Sequence, residues 1–481
     1  MLSSPLNSDL YHLTMAQALF MDNSHLQTDC FEMFIRNCPF KSAYTLCAGI
    51  DEFIDWIADW HFTADEIRYL RELKNQNGDP VFDSNFIDFL ATSKLELEIE
   101  AIKEGDLFFP NEPVVRVTGP SWQCNMVEAA LLNVVNAESL IATKASRIIY
   151  ASSLDGKKRA VLEFGLRRAQ EVNALSLSRA AYIGGCDGTS NVLAGKLFAI
   201  PVSGTHAHSY VMHYKDELTA FCKYLQYMPE NSTLLIDTYD SINGAKNAIE
   251  ASKITGIKPK AVRLDSGDFA FLSVEIRKLL DKAGLTDTKI VVSNDLDEYT
   301  IQSLVIEQIS AIDTFAVGTK LISAYDQPAL GGVFKLKTAA GKDKIKISNL
   351  SSKTTIPGAT NILRTELNGL YSGDIIIPAS MEKSCLDGDV LIKDIVSVNP
   401  DNYKEKIFPA GTKARLCLQK AFGNGKKLYA NRKIKEIREY AKENLSKLDI
   451  AHQRLYNPHL YIAGIEKSLY DKRMAMIKGD L

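Results

Sequence analysis

The chain has 481 residues, 46% of them apolar, which exceeds what one hydrophobic core usually serves and predicts two or three globular domains. Its 56 basic and 59 acidic side chains leave a net charge of -3, which argues against a nucleic-acid footprint or a membrane-surface patch and favours small-molecule substrates. The eight cysteines, at 30, 38, 47, 124, 186, 222, 385 and 417, form no Cys-x-x-Cys pair and read as reduced thiols. With no basic and apolar leader in Met1 to Leu10 and no apolar run of membrane-spanning length, a cytoplasmic protein is expected.

In chain order, residues 1–125 mix predicted helices (Ser42 to Trp60, Ala64 to Asn75, Asn85 to Leu90) with predicted strands (Leu95 to Ala101, Val114 to Thr118). They read as an N-terminal α/β sandwich. A long helix over Val127 to Ile149 then leads into residues 126–330. There, apolar runs rich in β-branched residues alternate with helical patterns: Ala160 to Phe164, Ala181 to Gly184, Leu197 to Val202, Thr233 to Ile236, Ala261 to Leu264, Ile290 to Val292 and Thr314 to Val317. Their starts are 21, 16, 36, 28, 29 and 24 residues apart, the spacing of βα units, so the expected fold is an irregular (β/α) TIM-like barrel. Strand-like runs in 331–400 (Gly332 to Thr338, Lys344 to Asn349, Asp374 to Pro378) are expected to complete the N-terminal layer, and 401–481 is expected to be a basic helical extension.

In a parallel barrel the C-terminal strand ends converge on one face, so Glu163-Phe164-Gly165, Gly188-Thr189-Ser190, His208, Asp237, Asp265, Ser293-Asn294 and Gly318-Thr319 are candidates for one pocket. Three of the eight histidines fall in Ser203 to His213, directly after an apolar run and Gly-Thr. A neutral imidazole is a competent nucleophile or proton carrier, so His206 and His208 point to phosphoryl chemistry. Arg263 and Asp265 lie two residues apart, on one side of a strand, before Ser266-Gly267-Asp268. The arginine suits an anionic substrate, while Asp265 suits Mg2+ or positive charge developing on a sugar ring. A buried structural ion pair is the competing reading of those two residues. Gly318-Thr319 offers backbone N–H groups and a hydroxyl to a phosphate at the last unit of the series. Phe164, followed by Arg167 and Arg168, suits stacking on a heteroaromatic ring and neutralising an anion.

Taken together, these segments resemble the nicotinate phosphoribosyltransferases, of the type II phosphoribosyltransferase group. The resemblance covers roughly residues 5 to 340: Asn7 to Met15, Phe31-Glu32-Met33-Phe34-Ile35-Arg36, Ala142-Thr143-Lys144-Ala145-Ser146-Arg147, Phe164 to Arg168, Gly188-Thr189-Ser190-Asn191, Gly204 to Met212, Leu264 to Asp268, Ser293-Asn294-Asp295 and Gly318-Thr319. It implies transfer of a phosphoribosyl group from phosphoribosyl pyrophosphate to nicotinate, the first step of NAD salvage from nicotinate. Formally such an enzyme is a C–N ligase and mechanistically a glycosyltransferase. ATP would be hydrolysed as cosubstrate through a phosphohistidine, with Mg2+ and no tightly bound organic cofactor.

In the family pattern Gly-Thr-x-Ala-His the phosphohistidine falls on His208, and His206 occupies the variable position. The resemblance further implies Phe164 on one face of the pyridine ring and Tyr11 on the other, from the second subunit of a homodimer with shared sites. Arg263 and Arg167 would meet carboxylate and phosphate groups, and Asp265 would stabilise the ribose cation electrostatically. Asn294, Gly318 and Thr319 match phosphate-binding positions, Lys144, Arg147 and Lys335 are further candidate phosphate contacts, and Asp237 matches a site-lining strand end. Related nicotinamide enzymes carry aspartate where Ser190 stands, so Ser190 favours a carboxylate substrate. A quinolinate enzyme is disfavoured by the Gly-Thr-x-Ala-His segment, and a metal-dependent phosphatase or an aldolase by the lack of a dense ligand cluster or a catalytic lysine.

Overall fold

Short β-branched and aromatic runs, each stopped by glycine or polar turn residues, supply three main sheets. The computed structural model describes residues 4–170, 174–350 and 353–480. They fall into two units, one of Met1–Leu140, Ala329–Arg432 and Glu439–Leu481, the other of Ile141–Pro328 and Lys433–Arg438.

In the first unit, Thr28–Ile35 pairs antiparallel with Val115–Pro120 on one side and Gly332–Ala339 on the other, within a seven-stranded sheet. Glu32 is buried in this sheet, 3.0 Å from Lys337 Nζ, and accepts the Thr360 N–H at 2.6 Å. An eight-stranded sheet is drawn from residues 360–466 and contains Leu370–Pro378. The expected strand at Lys344 to Asn349 does not form; pairing stops with Lys342–Asp343. At the inner polar knot Arg364 reaches Asp106 and Asp374, each at 2.6 Å. Burial, reinforced by the nearby Asp374 charge, raises the Glu112 carboxyl well above the carboxylate range, so Glu112 stays neutral and adds no third negative charge.

The tail needs correction. Only from Ile434 onward is it mainly helical; Glu405–Phe408, Lys413–Leu416, Gln419–Gly423 and Lys426–Lys427 are strands. The lysines hide the turn chemistry: Asn424 and Gly425 both have positive φ, 52° and 70°, and close a two-residue hairpin of the kind Asn-Gly favours.

The second unit is a curled, parallel half-barrel of six strands. They are β1 (Ala160–Glu163), β2 (Gly188–Thr189), β3 (Thr233–Leu235), β4 (Ala261–Leu264), β5 (Lys289–Ser293) and β6 (Thr314–Val317), in the order β2-β1-β6-β5-β4-β3. Two of the seven expected strands are absent. Ala181 to Gly184 ends the helix Ala174–Ile183, whose last turns are buried all round, so its apolar run mimics a strand. Leu197 to Val202 begins as the end of the helix Val192–Phe198, which Ala199 stops with φ 56°. Only Val202 makes a single bridge, to Thr189.

The edge strands β2 and β3 do not pair with each other. Thr189 N–H donates to Pro201 O and Ser203 N–H to Thr189 O, both at 3.0 Å, so residues 201–203 follow the β2 edge. The stretch Ser121–Ser152, which includes the helix Glu128–Ser152, is long and apolar enough to cross a membrane, contrary to the expectation that no such run exists. About two-thirds (67%) of its most apolar 18-residue window is buried in the protein's own interior, so its hydropathy is that of a core helix.

Candidate active site

The C-terminal ends of the half-barrel strands open into a cavity of about 710 Å³. Phe164, Arg167, Ser190, Arg263, Asp265, Asn294, Gly318 and Thr319 all line it, although they come from segments spread over 156 residues of sequence. Phe164 packs against the buried Ala261, Val291 and Ala316, which fixes its ring as an apolar floor. Gly165 must be glycine, because a Cβ there would lie 2.5 Å from Ile322 Cβ.

Arg263 occupies the middle of the site. Its Nε donates to Ser293 Oγ at 3.0 Å, one Nη donates to Thr205 Oγ1, and the other lies 3.3 Å from Asp265 Oδ1. A planar fork held by three directional contacts is pre-organised for an anion in a way an ammonium is not. Asp265 accepts from Ser293 Oγ, while its backbone N–H donates to Asp237 Oδ2 at 2.7 Å. The Ser266 hydroxyl donates to the same Asp237 oxygen at 2.7 Å. Asp237 is therefore not a lining residue; it fixes the turn that presents Asp265. His208, at the first position of the short helix His208–His213, places Nε2 3.9 Å from Asp265 Oδ2 and Nδ1 3.1 Å from Thr238 Oγ1. At 41% side-chain exposure, its ring is reachable from solvent.

Asn294 and Asp295 both adopt positive φ, 84° and 49°, directly after β5. Left-handed conformations in two consecutive non-glycine residues cost energy and concentrate at functional turns. Lys144 and Arg147 do not line the cavity. Both are essentially fully buried; Lys144 Nζ lies 2.7 Å from Glu298 Oε2 and 2.7 Å from Asp326 Oδ1, and Arg147 Nε lies 2.9 Å from Glu298 Oε1. Their expected role as phosphate contacts is corrected accordingly: burial beside a carboxylate has absorbed both charges. Tyr11 and Lys335 belong to the other unit. Tyr11 is 48% exposed, and Lys335 donates to the Phe334 carbonyl at 2.7 Å, its ammonium lowered by burial.

Sequence reasoning placed Glu163 and Ser293 among the strand ends expected at the pocket but assigned them no role, and it gave Thr205 none. Buried Glu163 accepts from Ser178 Oγ at 2.9 Å, from Thr189 Oγ1 at 2.5 Å and from the Gly165 N–H, tying β1 to β2 beneath Phe164 and Ser190. Its place at a strand end, just before Phe164-Gly165, was the available signal. Thr205 and Ser293 carried none beyond their neighbours, because a hydroxyl that orients a guanidinium looks like any turn residue.

A parallel half-barrel with an arginine fork, a carboxylate, an exposed imidazole and an aromatic floor at its strand ends defines an enzyme site for a phosphorylated substrate and a flat ring. Three family models match the chain: the nicotinate phosphoribosyltransferase N-terminal domain over residues 6–136, the nicotinate phosphoribosyltransferase family over 160–375 and the corresponding C-terminal domain over 366–473. The chain belongs to the nicotinate phosphoribosyltransferase family. It is 40% identical to the nicotinate phosphoribosyltransferase of Bacillus subtilis, over 99% of this chain and 95% of that one. With the Dictyostelium discoideum enzyme of the same name it shares 34% identity, over 97% and 87% of the two chains. The crystal structure of human nicotinic acid phosphoribosyltransferase is similar with a TM-score of 0.82 at 25% identity, covering 98% of this chain and 99% of its own.

Proposed function

We propose that this chain joins nicotinate to the ribose of phosphoribosyl pyrophosphate, giving nicotinate mononucleotide and pyrophosphate as the entry to NAD salvage, with ATP hydrolysis coupled through phosphorylation of His208. The carrying observation is the juxtaposition of the exposed His208 with Asp265, which Ser293, Arg263 and the Asp237 turn hold in place. In the transfer, the ribose C1–O bond to pyrophosphate breaks and a C1–N bond to the pyridine nitrogen forms. Asp265 faces the positive charge that develops on the ribose, and a fixed carboxylate stabilises it without the reorganisation water would need. Arg263 and Arg167 meet the anionic groups, and Phe164 stacks on the ring.

Transfer of the ATP γ-phosphoryl group to His208 would place a dianion beside Asp265 and reorganise the loops around the pyrophosphate. Among the described residues no three His, Cys, Asp or Glu side chains gather as a metal cage, but Asp265 fits a Mg2+ ion that is held mainly by substrate phosphates. A phosphate-bound Mg2+ there would neutralise charge on the departing pyrophosphate. The reading includes a homodimer in which Tyr11 covers the second face of the ring, and a cytoplasmic location.

Product formation from phosphoribosyl pyrophosphate with nicotinate or nicotinamide, each with and without Mg-ATP, tests it in the wild type and in His208→Ala. Nicotinate-only turnover, stimulated by ATP in the wild type and not in the variant, is expected. Nicotinamide turnover would overturn the substrate assignment, and equal ATP stimulation in His208→Ala would overturn the phosphohistidine.

A further inference from the structure

The segment that carries His208 holds a second imidazole with different surroundings. His206 is 7% exposed and packs against the rings of Tyr210, Phe221 and Tyr224 at centroid distances of 5.3, 6.1 and 4.7 Å. Its Nε2 accepts the backbone N–H of Leu235 at 3.1 Å, and its Nδ1 faces the Ala207 carbonyl at 3.4 Å. That pattern selects the neutral tautomer with the proton on Nδ1, since an imidazolium has two donors and no acceptor. Burial, opposed by the hydrogen bond to the Ala207 carbonyl and reinforced by the positive Arg263, pushes the imidazole down to about 4, so the ring is neutral under working conditions.

The donor gives the contact its meaning. Leu235 is the last residue of β3, the edge strand, and is fully buried. The Ile236 N–H turns inward to the Arg263 carbonyl on β4, so the alternation of the strand aims the Leu235 N–H outward, to the side where a further barrel strand would supply a carbonyl. His206 supplies the acceptor instead. Ser203 is fastened to β2 through Thr189, and His206 to β3 through Leu235, so Ser203–His206 spans the open edges of the half-barrel. Thr205, which receives the Arg263 fork, lies inside this span, and His208 follows two residues after His206.

We propose that His206 is a positioning residue, stitched as a neutral acceptor to the β3 edge, and that this contact sets both Thr205 against Arg263 and His208 beside Asp265. His206 is not itself a phosphoryl acceptor: one nitrogen is already an acceptor to the backbone and the ring is enclosed by aromatics. The statement about His208 rests on the phosphohistidine reading; the statement about Thr205 and Arg263 does not.

The test uses His206→Phe, which fills the aromatic space without an acceptor, and His206→Gln, whose Oε1 can replace Nε2. Should the phenylalanine variant fail to fold, His206→Met provides an apolar side chain of similar reach. Three quantities are measured: hydrogen exchange of the peptide containing Leu235, the KM for phosphoribosyl pyrophosphate against kcat, and acid-labile phosphate incorporated from labelled ATP. Loss of the imidazole acceptor of a buried amide predicts exchange faster by about ten- to a hundredfold in the apolar variants. KM is expected to rise by about tenfold, since the arginine fork loses its support, and Gln to restore both quantities most of the way. Label incorporation should slow in the apolar variants and vanish only in His208→Ala. The proposal is overturned if the apolar variants match wild type in exchange and KM, if Gln is no better than Phe or Met, or if label persists on His206 in His208→Ala. If wild type takes up no label at all, the phosphohistidine reading fails, while exchange and KM still decide the role of His206.

Discussion

Glu298→Gln separates two roles for Lys144 and Arg147. One fully buried carboxylate serves two fully buried cations, with Lys144 Nζ at 2.7 Å from one oxygen and Arg147 Nε at 2.9 Å from the other. Lys144 also has Asp326, which is 39% exposed, and Arg147 donates to Tyr299 Oη at 3.0 Å. Glutamine keeps the shape and one acceptor but removes the charge, so two buried cations lose the carboxylate they share. Removing one partner of a buried pair costs about 3–5 kcal/mol, and the retained acceptor places this case near the lower end, about 3 kcal/mol. A protein with two compact units need not unfold in one step. The assay is therefore hydrogen exchange of peptides over residues 141–152 and 294–302, where about 3 kcal/mol corresponds to a loss of protection of more than about a hundredfold. Because Glu298 opens the helix that follows the left-handed Asn294 and Asp295 by three to four residues, kcat/KM should fall as well. Protection within about 0.5 kcal/mol of wild type, with Lys144→Met raising the KM for phosphoribosyl pyrophosphate at unchanged protection, would refute the reasoning and return both cations to the phosphates.

Arg263→Lys keeps the charge and loses the fork. Of the three contacts, to Ser293, Thr205 and Asp265, an ammonium can reproduce one in this geometry. Two lost charge-assisted bonds at about 1.5–3 kcal/mol each predict a fall in kcat/KM of roughly a hundredfold or more; a fall below about threefold would show that the guanidinium shape is irrelevant. A pH dependence follows from His206. Its folded-state value of about 4 lies below the ordinary 6.5, so the unfolded chain binds the extra proton first. The stability it contributes is fully present above about pH 6.5, falls as the pH drops and is gone by about pH 4, with a ceiling of roughly 3 kcal/mol. His206→Gln lacks this titration, so the unfolding midpoint of wild type should drop more steeply than that of the variant between those limits. Parallel midpoints would refute it.

The parallel strands were legible where a buried run ended in chemistry: β1, β3, β4, β5 and β6 each lie in a β-branched or aromatic run, and the residues directly after four of them, Phe164, Asp265, Asn294 and Gly318, line one cavity. The runs that misled are those whose hydrophobicity had another use. Ala181 to Gly184 is apolar because a helix buried on every side ends there, and period cannot be read from a run with no polar face. Val202 is 51% exposed, yet it sits against Gly195, where a Cβ would approach its Cγ2 to 2.2 Å. Side-chain direction was the larger loss. Lys144, Arg147, Arg263 and Asp265 are all charged residues in or beside apolar segments, and sequence assigns all four to anions or cations with equal right. What distinguishes them is Glu298, 154 residues after Lys144, whose carboxylate meets two of the four in the interior and leaves the other two to the cavity. A lone charge in an apolar run therefore reports only that a counter-charge exists; whether that partner is protein or substrate is decided by which distant carboxylate the fold returns to it. By the same logic, the adjacent imidazoles of one short motif divide into a buried acceptor at 206 and an exposed ring at 208 according to which of them faces the unfilled edge of β3.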